Sequence, residues 1–385
     1  MNGGKSTNHG ASLEATGRSR YNDFVAHGGT YVGTCAGAFL TCIARASSTS
    51  TTPATNVNFL HIWPGYTAYV KDKWLDENGV EKGSTLEDVE HRVRLVEGSP
   101  LLKYYDFGGD MMVNGVRHNG GPYMLDEGAC RAPEGTEVLA VYHFPKEDQG
   151  KDHPEDHKYK CDTSAMHNKT CVWSYKKDAA TGRIVDCGSH PEGVTSGERR
   201  DLMASFLRYA SDYPGDVEVK GELVAGEARV MNRKTSDADP AYTAIGDRQY
   251  HHFKIEVPDT DNGVKLNLTC SVPGVDLYLA MRKGALAWIS DSEYVLCNSG
   301  SNKNFRTRKI EPGVWYVSVM CATTVTAKKA TYSPDGEYFK YSGKTAVLNG
   351  IPYTICYSLI NPDGTDGAAS SDTQELDYTT GGWEK

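Results

Sequence analysis

One cysteine in this chain stands where a cysteine could attack. Cys35 lies in the run Gly33-Thr34-Cys35-Ala36-Gly37, with short apolar residues before it and Ala38-Phe39-Leu40 after it. That is the order in which a strand, a tight turn and a helix would follow one another with the cysteine at the tip, a nucleophile elbow. Gly33 and Gly37 carry no Cβ, so neighbouring backbone can close on the turn without a clash. The helix expected next would aim its free N–H groups and positive end at Cys35, surroundings that suit an anionic sulfur nucleophile. A small cysteine buried beside a packing turn has the same local pattern, so the rest of the chain has to supply a base and an orienter.

Of twelve histidines, His190 stands apart. It follows a strand candidate, Arg183 to Cys187, at a Gly188-Ser189 turn, and Glu192 trails it by two residues. One loop at the C-terminal end of a strand could thus hold an imidazole with a carboxylate behind it, and in open α/β sheets that edge is where sites form. Cys161 and Cys171 with His153, His157 or His167 have metal-ligating types, but a loop disulfide accounts for the cysteines, and no metal or cofactor is assigned. Asp259, Asp261 and Asn262 lack the spacing of a calcium loop and read as turn chemistry. Cys42, seven residues after Cys35, reads as buried core.

The elements that must position these groups can be read from pattern. Residues 5–20 are polar and read as loop or a short helix before Tyr21 to Val25. Ala36 to Ala46 reads as a buried helix, Ser47 to Asn56 as a loop, and Phe59 to Trp63 as a strand ended by Pro64-Gly65. Lys71 to Glu97 is charged and irregular. Strand candidates follow at Val138 to Phe144, Cys171 to Tyr175 and Arg183 to Cys187, with a solvated loop from Lys146 to Lys160. A start signal at Thr195 and Ser196 precedes Leu202, Met203, Phe206, Leu207 and Ala210 at helical spacing.

Tyr213 to Asp216 marks a boundary. Beyond it come short strands with turn signals, at Tyr250 to Val257, Val264 to Leu268, Asp276 to Met281, Gly313 to Val319 and Tyr353 to Tyr357, which predict an all-β sandwich. Its even set of cysteines, Cys270, Cys297, Cys321 and Cys356, predicts two disulfides of undetermined connectivity. The expected division is therefore 1–215, 216–362 and a polar tail over 363–385.

A net charge of −9 over 385 residues argues against nucleic acid as partner, and no run of 18 apolar residues predicts a membrane span. Ten cysteines suit an oxidising compartment, and the sequons Asn168-Lys-Thr and Asn267-Leu-Thr are compatible with secretion. No secretory signal opens the chain.

The runs Gly29-Thr30-Tyr31-Val32-Gly33-Thr34-Cys35-Ala36-Gly37, Asn119-Gly120-Gly121-Pro122 and Gly188-Ser189-His190-Pro191-Glu192 together resemble the class I glutamine amidotransferase-like proteins, in the group named for the N-terminal domain of biotin-protein ligases. The resemblance covers roughly residues 1 to 210. It implies an open flavodoxin-like α/β sheet with flanking helices, a triad of Cys35, His190 and Glu192, and an oxyanion hole formed by the backbone N–H of Ala36 and of an upstream Gly-Gly loop, here Gly3-Gly4. Asn119, Gly120 and Tyr123 are candidate pocket residues beside it. In that family a βαβ segment precedes the Gly-Gly loop. Its absence here implies a missing N-terminal segment, or a separate polypeptide that supplies it.

The second half resembles the bacterial pre-peptidase C-terminal domain, a β-sandwich appended to secreted hydrolases. The expectation is a secreted hydrolase-like enzyme acting on an amide or peptide substrate through a thioester. The contrasting expectation is a non-catalytic extracellular protein that keeps the fold.

Overall fold

The computed structural model describes residues 1, 3–47, 50–69, 71–75, 81–85, 89–143, 166–212, 219–234, 240–259, 263–327, 341–361 and 363. The chain opens with two helices, α1 (Ser6–Ser12) and α2 (Glu14–Ala26), where a loop or a short helix was expected before Tyr21. The apolar Phe24-Val25-Ala26 end α2, and the strand before Cys35 is the short β1 (Tyr31–Thr34). The helix after Cys35, α3, is only Ala36–Thr41, because Cys42 turns extended and feeds β2 (Ala44–Arg45). β3 (Tyr66–Ala68) follows, and the charged stretch forms the hairpin β4 (Lys71–Leu75) and β5 (Glu81–Thr85), then β6 (Val89–Leu95). The unit is completed by β7 (Met112–His118), β8 (Tyr123–Met124), β9 (Thr136–His143), β10 (Thr170–Tyr175), β11 (Ile184–Cys187) and α4 (Glu198–Ala210). The three strands expected between 138 and 187 and the helix after Thr195-Ser196 are all present. Cys161, His153, His157 and the charged loop 146–160 lie outside the described residues.

Phe59 to Trp63 is buried loop rather than strand. Its N–H groups are used by the carbonyls of Asn56, Leu40 and Thr41 and not by a ladder. β4 and β5 pair with each other apart from the main sheet. That nine-stranded sheet runs β2-β3-β8-β10-β9-β6-β7, with β11 joining β1 to β10. Among its described pairings only β1–β11 and β2–β3 are parallel, so the sheet is mixed and mainly antiparallel. The doubly flanked, open flavodoxin-like arrangement expected from the sequence is not what these strands form. Met1 lies against the other edge of β1, its N–H donating to Val32 O at 2.6 Å and its O accepting from Thr34 N at 3.0 Å.

From residue 219 the described elements are strands and two short 3-10 turns, Pro240–Tyr242 and Thr345–Asn349. β12 (Val219–Glu222), β14 (Tyr250–Val257), β16 (Leu277–Lys283), β17 (Tyr294–Leu296) and β19 (Gly313–Cys321) form one sheet, in the order β12-β14-β19-β16-β17. β13 (Ala228–Met231), β15 (Gly263–Thr269), β18 (Lys303–Thr307) and β22 (Tyr353–Ile360) form the facing one, in the order β13-β22-β15-β18. β20 (Val325–Ala327) and β21 (Tyr341–Gly343) make a small ribbon. Alternating burial in β15 and β22 turns Val264, Leu266, Leu268, Ile355 and Tyr357 inward to meet Phe253, Ile255, Val317 and Val319 of the other sheet. This is the expected sandwich.

The two expected disulfides are not formed: Cys270, Cys297, Cys321 and Cys356 are all free. Cys321 is buried in the core between the sheets, Cys270 packs partly buried against the same core, Cys356 is partly buried on β22, and Cys297 is exposed beyond β17. Every other described cysteine is free as well.

The two halves meet through polar contacts. Gln249 Oε1 accepts from the N–H of Gly197 at 2.9 Å and of Gly246 at 3.0 Å, and its Nε2 donates to Asp201 Oδ1 at 3.0 Å. The Gly115 N–H donates to the Tyr341 hydroxyl at 2.9 Å, and Arg248 pairs with Asp110 at 3.3 Å.

Four histidines, His91, His118, His251 and His252, are almost wholly buried. Burial holds all four below the ordinary imidazole range, His91 and His252 at about 3. The unfolded chain binds protons at these sites below about 6.5 while the folded chain does not, so their contribution is intact above that pH and is lost as the pH falls from 6.5 towards 3. Replacing His252, whose Nδ1 pairs with Ser318 Oγ at 2.6 Å, by Gln removes one such penalty. The expected outcome in urea unfolding is that His252→Gln loses less stability than the parent between pH 7 and 5, by on the order of 2 kcal/mol. Equal losses would contradict it.

Candidate functional site

Cys35 sits between β1 and α3 with φ 49° and ψ −105°, outside the regions an L-residue populates freely. Such strain persists only where the surroundings over-determine it. Here they do: the Cys35 N–H donates to Cys187 O at 2.8 Å, and its carbonyl accepts from Phe39 N at 3.1 Å to start the helix. Cys35 is 5% exposed, and its thiol donates to the carbonyl of Asn119 at 3.5 Å.

β11 runs parallel to β1 with Thr34 opposite Cys187, so the loop after β11 emerges beside the elbow. His190 stands in that loop, its N–H donating to Arg117 O at 2.7 Å in an isolated bridge between the two residues. Its Nδ1 pairs with Glu192 Oε1 at 2.9 Å, and the same oxygen accepts from Thr34 Oγ1 at 2.9 Å. With Nδ1 so occupied, Nε2 is the ring nitrogen left for Cys35, whose side chain lies close enough to act on the imidazole. Burial works to lower the His190 pKa, but the hydrogen bonds and charges of Cys35 and Glu192 outweigh it and raise it to about 9. Burial likewise pushes Glu192 up, and the bonds from His190 and Thr34 bring it below its usual value.

The remaining sequence candidates are placed as follows. Gly3 lies over the His190 ring, since a Cβ there would fall 2.4 Å from Cε1, and Gly4 follows with φ 136°. The Gly-Gly loop is therefore at the imidazole. Ala36 opens α3, and a first-turn N–H has no partner within its own helix. Asn119 touches the thiol through its carbonyl, and Gly120 adjoins it at φ 63°. Tyr123 belongs to β8 and packs into core clusters with Lys169 Nζ over its ring at 5.5 Å. Cys42 is buried, its thiol pushed up to about 12 by desolvation. Among the described residues no group of three or more His, Cys, Asp or Glu side chains is arranged to hold a metal.

Several contributors carry no motif. Thr34 orients Glu192 and is marked only by standing before the cysteine. Asp186, fully buried under the elbow, accepts from Thr41 Oγ1 at 2.6 Å, and burial raises its carboxyl well above the usual range. Gly188 is hemmed in: a Cβ would lie 1.8 Å from Pro122 O and 2.1 Å from the Tyr142 hydroxyl, and one on Gly121 would lie 1.8 Å from Gly188 O.

A mixed-sheet unit bearing a cysteine, histidine and glutamate at one strand end, followed by a β-sandwich, defines the class of protein. The family described as "Biotin-protein ligase, N terminal" matches residues 1–205, more than half of the chain, and the chain belongs to that family. No curated protein matches it. Among solved structures the chain is similar to the pre-peptidase C-terminal domain of collagenase from Bacillus anthracis, with 10% identity over 37% of this chain and 100% of that one, at a TM-score of 0.21.

Because backbone is in contact at Gly188, Gly188→Ala forces the loop off Pro122 and moves His190 with it. The expected cost is about 1–3 kcal/mol in denaturant unfolding, together with loss of the Cys35–His190 contact seen as a changed His190 imidazole signal. An unchanged midpoint and signal would contradict the packing described.

Proposed function

We propose that this chain is a cysteine-nucleophile amide hydrolase of the glutamine amidotransferase-like class. The observation that carries the reading is the strained Cys35 beside an imidazole whose Nδ1 pairs with Glu192, itself held by Thr34. In the proposed reaction the Cys35–His190 pair reacts with its shared proton on the imidazole, and Cys35 Sγ attacks an amide carbonyl. N–H groups at Ala36 and Gly4 take the developing oxyanion. The C–N bond then breaks, with His190 returning the proton to the leaving amine. Water next attacks the thioester and releases a carboxylate and free Cys35. Glu192 fixes the tautomer and steadies the imidazolium. The proposed substrates are amides or peptides in an extracellular setting, by likeness of the sandwich sequence to domains carried by secreted hydrolases.

A second reading, a non-catalytic protein that keeps the elbow as structure, is favoured by the near-complete burial of Cys35 and by the engagement of its thiol with Asn119 O.

The two readings separate on reactivity. Iodoacetamide at neutral pH is expected to alkylate Cys35 faster than a model thiol, with the excess lost in His190→Ala. Amide and peptide substrates should be turned over by the parent and not by Cys35→Ala. Labelling no faster than the model thiol, with no turnover, would leave the structural reading. His190 also supplies a sign. A pKa raised from 6.5 to about 9 stabilises the fold fully below 6.5, and that contribution is lost as the pH rises through 9. Cys35→Ala removes one of its causes, so the His190 titration followed by NMR should fall towards 6.5; an unmoved midpoint would contradict the pairing.

A further inference from the structure

Behind the imidazole lies a fully buried cluster that the proposed reaction does not use. Ser189, the residue before His190, has no exposed surface, and its Oγ meets His91 Nε2 at 2.6 Å, His118 Nδ1 at 3.3 Å and the Cys171 thiol at 3.8 Å. The proton inventory of these contacts is determined. His91 Nδ1 lies 2.8 Å from Arg92 O, and a carbonyl can only accept, so Nδ1 carries the hydrogen and Nε2 of the neutral ring is an acceptor. Ser189 must then donate to His91, which leaves its two lone pairs for His118 Nδ1–H and the Cys171 S–H. The hydroxyl is thus held by partners on three different strands, β6, β7 and β10.

The partners matter because of what adjoins them. His118 is followed by Asn119, whose carbonyl takes the Cys35 thiol, and preceded by Arg117, whose carbonyl takes the His190 N–H. Ser189 is flanked by Gly188, packed on Pro122 and Tyr142, and by His190 itself. The His118–Ser189 bond thus ties together the two loops between which the Cys35–His190 contact is made. The rings of His91, His118 and Tyr142, two pairs edge-on and one tilted, with centroids 5.2 to 5.8 Å apart, leave the tie little room to shift.

We propose that Ser189 and His118, with His91 behind them, are positioning residues that set the alignment of His190 on Cys35. The proposal rests on the reading of those two residues as base and nucleophile. The tie acts through geometry alone: burial keeps His91 and His118 neutral across the range in which His190 titrates.

The test uses the whole chain with Ser189→Ala, His118→Ala and His118→Asn, whose amide can replace the Nδ1–H donor. Two readouts are taken, the NMR titration of His190 and the rate at which iodoacetamide alkylates Cys35 at pH 7. The expected result is that Ser189→Ala and His118→Ala slow alkylation about tenfold and move the His190 midpoint from near 9 towards 6.5, while His118→Asn restores both. A purely structural role would lower the melting temperature and leave the midpoint in place, and that result overturns the proposal. Should Ser189→Ala not fold, the His118 pair carries the same decision. A parent whose His190 titrates like free imidazole overturns the functional reading and this one with it; a parent near 9 with unmoved variants overturns only this one.

Discussion

The structure depends on how closely backbone can approach backbone around Cys35. The segment after β11, the turn before β8 and the elbow itself meet with no side chain between them, at Gly188 and Gly121. Interiors packed to this density transmit displacement instead of absorbing it. That is why a strained cysteine, a histidine in a loop and a carbonyl from a third segment hold a common geometry although none sits within a long element. It is also why the parallel pairing of β1 with β11 matters more than the pairings elsewhere in the sheet, since it places the elbow and the His190 loop at the same strand end.

The parts of the site that were legible in the sequence are those whose chemistry is local. Cys35 between glycines and His190 two residues from Glu192 are patterns visible over a few positions. Five sandwich strands, β14, β15, β16, β19 and β22, together with β9 to β11 and α4, were readable for the same reason, since their alternation or helical spacing lies within one window. What was not legible is carried by contacts distant in the chain. Ser189 meets a histidine 98 positions away and another 71 away, and no spacing announces such a meeting.

Local signals also misled where tertiary contacts overrode them. Phe59 to Trp63 has the composition of a strand, but its amides are taken by carbonyls near α3. The polar stretch over residues 5–20 forms helices that bury little beyond Ser6, Gly10 and Val25. The sheet called for by the family likeness was an open flavodoxin-like one with flanking helices, and the strands after β3 pair mainly as antiparallel neighbours. Four cysteines in one sandwich invited bridges, and all four are free.

The junction between the halves has a consequence for α4. The residue at its N-cap is Gly197, which has no side chain to satisfy the first amides. The acceptor that serves its N–H comes from Gln249, 52 positions later and in the sandwich, and the same amide reaches forward to Asp201 in the first turn. The second half therefore completes the start of a helix in the first, and that helix packs on β1 and β11, the strands that carry Cys35 and lead into His190. Docking of the sandwich and order at the elbow are two ends of one continuous set of contacts.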